Sequence, residues 1–201
     1  MKVFTIGHSN HSWEVFRDLL RGHGIGAVAD VRSAPVSRHV PHFNREALEE
    51  ALAAEGIRYV FLGRELGARP EDPACYEDGV ALYERIERTP EFEKGIQRVM
   101  QGAAKMKVAL MCAEKDPIDC HRTVMVAKVL HQRGVEVDHI LADGTLEPQE
   151  RVLARMADEA AESKGWHFEQ VSPEEAYRAR AGRIQYREPA IGTGVREEPR
   201  E

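Results

Sequence analysis

The sequence predicts an α/β fold: an open, mostly parallel sheet with helices on both faces, as a single domain followed by a C-terminal arm. Three observations carry that prediction. Short apolar runs alternate with segments of helical periodicity over residues 1–162, the pattern that builds parallel sheets through right-handed crossovers. Val108-Ala109-Leu110-Met111 is apolar throughout, as a strand covered on both faces must be. A chain of 201 residues, 42% of them hydrophobic, suffices for one well-buried domain and an appendage.

The elements follow in order. Residues 2–6 read as a strand. Ser12 is placed to cap a helix whose apolar positions Trp13, Phe16, Leu19 and Leu20 recur at helical spacing, with Gly22 and Gly24 at its end. A second buried strand covers 27–31. The stretch from Arg32 to Phe43 is too rich in proline and polar residues for regular structure. Asn44 is placed to cap a helix over 46–54, which Gly56 stops before a third strand at 58–62. Residues 63–76 form a long irregular connection, a kind of loop that is often functional, and Cys75 is expected to be exposed there. Two helical segments, 79–87 and 91–104, precede the strand at 108–111. Asp116-Pro117 opens the next helix as N-cap and first position, and its apolar run 123–130 ends at Gly134. A strand at 135–141 and a helix at 147–162 complete the domain. In the arm, 163–201, residues 167–171 suit an edge strand, and the remainder, with Arg178, Arg180, Arg183 and Arg187, reads as a tail.

Composition excludes several classes. A formal net charge of −6 gives no whole-protein basic field for nucleic acid, although a local basic patch stays open. No apolar run approaches the roughly 18 residues of a membrane span, and the N-terminus lacks a signal-peptide pattern. Three cysteines without an export signal suggest a reducing cytoplasm and no disulfide framework. No internal repeat is visible.

Open parallel sheets bind ligands beyond the carboxyl ends of their strands. Three unusual loops leave such ends: Gly7-His8-Ser9-Asn10, Asp30 through Phe43, and Cys112 through Arg122. They are expected to meet on one side of the sheet. Gly7-His8-Ser9 reads either as a tight turn, with Gly7 in an unusual backbone conformation, or as an anion cradle of free N–H groups with His8 as proton donor or orienter. Asp30 reads as a catalytic carboxylate or as a partner for Arg32. Arg32 and Arg38, with Ser37, bracket a proline-containing loop and suit bidentate recognition of phosphate or carboxylate. His11, His39 and His42 read as rim residues.

Cys112 reads either as a small buried hydrophobe or as a thiolate favoured by a helix N-terminus, Lys115, His121 and Arg122. Ile118 stands where a Cys-x5-Arg phosphatase loop would need arginine. The spacing of Cys112 and Cys120 is not that of a thioredoxin-like pair. Zinc on Cys112, Cys120 and His121 is disfavoured on two counts: no second Cys/His pair is visible, and neighbours on one helix point about 100° apart. No metal is therefore assigned, and no cofactor. Arg122 reads as an anion clamp or a buried partner for Asp30 or Glu114.

Several motifs occur together and in order: Thr5-Ile6-Gly7-His8-Ser9; Asp30-Val31-Arg32-Ser33-Ala34-Pro35 with Ser37-Arg38 and Phe43; Tyr59-Val60-Phe61-Leu62-Gly63 with Leu66-Gly67; and Cys112-Ala113-Glu114 with Cys120-His121-Arg122. Over roughly residues 1–145 the chain resembles the domain-of-unknown-function 488 family of uncharacterised bacterial and archaeal proteins. The resemblance implies that these motifs form one unit and supplies no reaction. Arg69-Pro70 follows where the family pattern often carries a further glycine.

The leading expectation is an enzyme acting on an anionic, phosphate-bearing substrate such as a nucleotide or nucleic acid. Arg32, Arg38 and Arg122 would bind it, with Gly7, His8, Ser9 and Ser37, while Glu114, His121, Cys112 and Asp30 carry the chemistry. The alternatives are a non-catalytic nucleotide- or nucleic-acid-binding module and a thiol-based redox sensor. No membrane partner is expected, and the arm is the candidate for a homodimer contact.

Overall fold

The computed structural model describes residues 1–164 and 171–189. Its strands are β1 (Lys2–Gly7), β2 (Ala27–Asp30), β3 (Arg58–Phe61), β4 (Tyr76–Glu77), β5 (Val80–Ala81), β6 (Val108–Cys112), β7 (Glu136–Ile140) and β8 (Leu146–Pro148). Six of them form one sheet in the order β3-β2-β6-β1-β7-β8. All neighbours are parallel except β8, which runs against β7. The longer helices are α1 (Trp13–Gly22), α2 (Arg45–Ala54), α5 (Pro90–Ala103), α7 (Gln149–Lys164) and α8 (Pro173–Ile184); α3 (Gly63–Leu66), α4 (Tyr83–Ile86) and α6 (Lys128–Gln132) are short. No helix among the described residues is long and apolar enough to cross a membrane.

Strand alternation sorts the core into two layers. Phe4, Ile6, Val28, Ala109 and Met111 face α1 and α2, where Phe16, Leu20, Leu48 and Leu52 bury against them. Val3, Ala29, Val108, Leu110 and Cys112 face the other way, toward Phe92 and Ile96 of α5, Val152 of α7 and Tyr177 of α8. β6 is buried along its whole length, as its unbroken apolar run requires. Cys112 is thus delivered to the layer that α8 covers.

The sequence reading needs four corrections. Residues 79–87 are not one helix: Asp78 and Gly79 both take positive φ, 48° and 72°, and turn β4 into β5 before α4. Asp-Gly is the dipeptide that a two-residue hairpin turn prefers. The connection at 63–76 contains α3 and a 3-10 turn, Pro73–Cys75, that buries Cys75 to 1% exposure. The helix opened by Asp116 is broken: Asp116 caps a 3-10 turn, Pro117–Asp119, Cys120 is extended (φ −134°, ψ 138°), and a π-helix, Arg122–Ala127, leads into α6. In the arm, residues 173–184 are a helix rather than a tail. Ser172 and Glu175 close a capping box at its start, and Arg180 ties it to Asp119 and to Glu159 of α7. Of the expected edge strand at 167–171, residues 167–170 lie outside the described residues.

Candidate active site

β6 is inserted between β1 and β2, with Gly7 level with Cys112 and Asp30 level with Met111. The loops after these three strands therefore leave side by side. The crossovers also change face here, from α1 and α2 on one side to α5 and the π-helix on the other, and α/β folds bind ligands at such a switch.

Gly7 is required by contact. A Cβ there would lie 1.9 Å from the Glu114 carbonyl oxygen. The positive φ belongs instead to Ser9, at 46°. The His8 and Ser9 N–H groups donate to the carbonyls of Cys112 and Ala113, both at 2.9 Å, so these donors clasp the β6 loop instead of cradling an anion. His8 is buried and stacked on Phe43 at 4.4 Å. Its Nδ1 donates to the Ser9 carbonyl (2.9 Å) and its Nε2 accepts from Arg32 Nη1 (3.0 Å). Burial, helped by the Arg32 charge, lowers His8 to about 4. It orients Arg32 as a neutral ring.

Asp30, fully buried, accepts the Arg32 backbone N–H and Nε at Oδ1 (3.0 and 2.9 Å), and Arg32 Nη2 and the Tyr59 hydroxyl at Oδ2 (2.6 and 2.8 Å). Arg32 Nη2 also donates to the Phe43 carbonyl. This pair is an internal strut whose guanidinium edges the cavity described next. Ser37 Oγ accepts from the His39 and Val40 N–H groups, Arg38 is exposed, and neither lines that cavity.

The cavity, of about 320 Å³, opens beyond the ends of β2 and β6. Cys112, Glu114, His121, Arg32 and Arg69 all line it. Tyr186, from the chain after α8, closes it. That segment is held by β5: Ala81 N–H donates to the Tyr186 carbonyl (2.9 Å), and Arg187 bridges to Val80. Arg69 stacks its guanidinium on Tyr186 at 4.3 Å.

Cys112 Sγ lies 3.7 Å and Cys120 Sγ 3.9 Å from His121 Nδ1, and Cys120 Sγ donates to Glu114 Oε2 at 3.0 Å. The extended backbone at Cys120 is what lets two sequence neighbours reach one point. His121 Nε2 faces the Val31 carbonyl at 3.0 Å. Burial alone would raise both thiols. For Cys120 it is outweighed by the hydrogen bond from Cys112 and by the charges of Arg122 and His121, which hold it well below the ordinary thiol range. Cys112 goes well above that range, pushed by burial and by Cys120. Against the opposing effect of burial, His121 is raised by Cys120 and then Glu114. Glu114 is raised by burial of its carboxylate and by Cys120. Of the two thiols, Cys120 is therefore the more readily ionised.

Arg122 lies behind the cluster at 1% exposure. It donates to the Glu114 carbonyl (2.8 Å) and to Thr5 Oγ1 (3.4 Å), and among the described residues no carboxylate pairs with it. It pairs with neither Asp30 nor the Glu114 side chain.

Residues 12–130 match the family described as Domain of unknown function DUF488. The chain belongs to this family. The matched span holds β2, β6, the cysteines and Arg122, and leaves out the β1 motif and α8. No curated protein and no solved structure gives a match.

Of the residues that sequence suggested, Cys112, Glu114, His121 and Arg32 share the cavity. Asp30 and Arg122 stand behind it, and Gly7, His8 and Ser9 brace it. Arg69 and Tyr186 were missed, and Cys120 was weighed as a zinc ligand or redox partner but not assigned to the site. Cys120 stands within the Cys120-His121-Arg122 motif, but a helical reading turned it away from His121. Nothing in the local sequence marks Arg69 or Tyr186.

Proposed function

We propose that this DUF488 protein is an enzyme acting on a small anionic substrate bound in the cavity at the carboxyl edge of β2 and β6. One observation carries the reading: two thiols, an imidazole and a carboxylate, linked by sulfur contacts of 3.0–3.9 Å, converge beside a cavity that two guanidinium groups also line. Such a set exceeds what anion binding needs. Arg69, exposed and already stacked, is the cation best placed to meet the anion, with Arg32 as its fixed neighbour. Glu114, raised by burial and by Cys120, is the group best suited to proton transfer. A nucleic-acid-binding module fits less well, because Arg32 and Arg122 are turned inward and Arg38 stands away from the cavity.

The test is a binding and turnover panel of inorganic phosphate, phosphomonoesters and nucleoside monophosphates. Arg69→Ala should weaken binding of the anion by about tenfold, the loss of one charged contact. Glu114→Gln should lower turnover by roughly 10²–10⁴-fold while leaving binding nearly intact. If no anion of the panel binds, or Arg69→Ala binds as wild type does, the reading fails.

A further inference from the structure

We infer that Cys112, Cys120 and His121 bind a zinc ion whose fourth coordination position opens on the cavity. The inference rests on the proposed reading for its purpose, but on independent geometry for its existence. The two sulfurs and Nδ1 of His121 all lie within 4.8 Å of one another. A tetrahedral zinc ion with bonds of about 2.3 Å to sulfur and about 2.0 Å to nitrogen needs sulfur–nitrogen separations of about 3.5 Å. The observed separations are 3.7 and 3.9 Å. Inward movements of a few tenths of an ångström would close the site.

His121 is set as a ligand. A carbonyl can only accept, so the contact from Nε2 to the Val31 oxygen at 3.0 Å puts a proton on Nε2. The neutral ring then directs its Nδ1 lone pair at both sulfurs, and a carbonyl behind the ring is the usual support of a metal-bound histidine. The objection that neighbours diverge on a helix does not apply, because Cys120 is extended between two helical segments.

Donor chemistry chooses the ion. Two thiolates and one imidazole in a tetrahedral arrangement suit zinc over hard cations such as magnesium or calcium. All three ligand residues are buried, yet Cys112 and His121 line the cavity, so the free position faces the substrate space. Three protein ligands and one open position describe catalytic zinc rather than structural zinc. Glu114 is outside the three-residue group but touches Cys120 at 3.0 Å; with zinc bound, it would supply a carboxylate beside the ligands to hold or accept a proton. Zinc with two thiolates would carry no net charge, which suits a buried site.

The experiment uses the full, reduced chain stripped of metal and titrated with cobalt(II), then with zinc in competition. One cobalt per chain should bind, with the intense sulfur-to-cobalt charge-transfer absorption of thiolate ligation, and zinc should displace it. Cys112→Ser and Cys120→Ser should each weaken zinc binding by more than about tenfold, whereas Cys75→Ser should not change it. Wild-type protein that shows no such absorption overturns the site, and so does absorption that survives the double Cys112→Ser, Cys120→Ser change. The two proposals fail separately. Metal binding with no anion binding removes the functional reading alone, and an Arg69-dependent anion site in a chain that binds no cobalt removes the zinc.

Discussion

Thr5 and His139 show what one buried side chain demands of its neighbours. Thr5 Oγ1 contacts His139 Nδ1 at 2.8 Å, His139 Nε2 contacts Gln149 Oε1 at 2.7 Å, and Gln149 Nε2 donates to the Tyr177 hydroxyl at 2.8 Å. Arg122 touches the same Thr5. Burial, seconded by the Arg122 charge, lowers His139 to about 3, while the unfolded chain restores the ordinary value of about 6.5. A folded-state value below the unfolded one gives stability that is present above pH 6.5 and drains away as the pH falls toward 3. His8, lowered to about 4, acts in the same sense. Each should remove about 2 kcal/mol between pH 7 and pH 5, and His139→Gln should cut that pH dependence by about half. Urea midpoints at the two pH values measure both, and an equally steep loss in His139→Gln would refute the assignment. Gly7→Ala sets a methyl against the Glu114 carbonyl. It should destabilise by about 3 kcal/mol or more, visible as a lowered urea midpoint with an unchanged slope.

The elements that could be read from sequence are those whose burial pattern is local. β1, β2 and β6 announce themselves as apolar runs, and α1, α2 and α5 lie within a residue or two of their periodic segments. Ser12 caps α1 as expected, its Oγ accepting from Val15 N–H. Asn44 stands at the N-cap of α2, but its Oδ1 accepts the Ser37 N–H instead. The misses have physical causes. Gly79 was taken as the start of a helical window although it and Asp78 before it both turn to positive φ. The helix after Asp116 was drawn through Cys120, because nothing in Ile118-Asp119-Cys120-His121 forbids helical backbone and only packing breaks it there. That break decides the chemistry, since it converts a pair expected to diverge into a pair that converges. Cys75, in its buried 3-10 turn, should be protected from a bulky thiol reagent in the native protein and labelled only on unfolding. Mass mapping of the labelled peptide distinguishes this from the early reaction that an exposed loop would give.

At the scale of the molecule, the three loops foreseen from strand order do meet, while the closing wall was illegible because it comes from distant chain. Tyr186 reaches the cavity by pairing its backbone with β5, and Tyr83 holds the Ile184 carbonyl through its hydroxyl at 3.2 Å. Removing residues 171–201 should therefore lower thermal stability and abolish anion binding together; a shortened chain that still binds phosphate with wild-type affinity would show the wall to be dispensable. The route of the chain has a temporal meaning too. The thiols, His121 and Glu114 leave the ribosome well before residues 184–186, and domains tend to fold as whole units. A nascent chain that stops short of residue 186 holds Cys112, Cys120, His121 and Glu114 but lacks the tyrosine that lines the cavity beside them. The cavity therefore gains its Tyr186 wall only after the rest of its lining has been made.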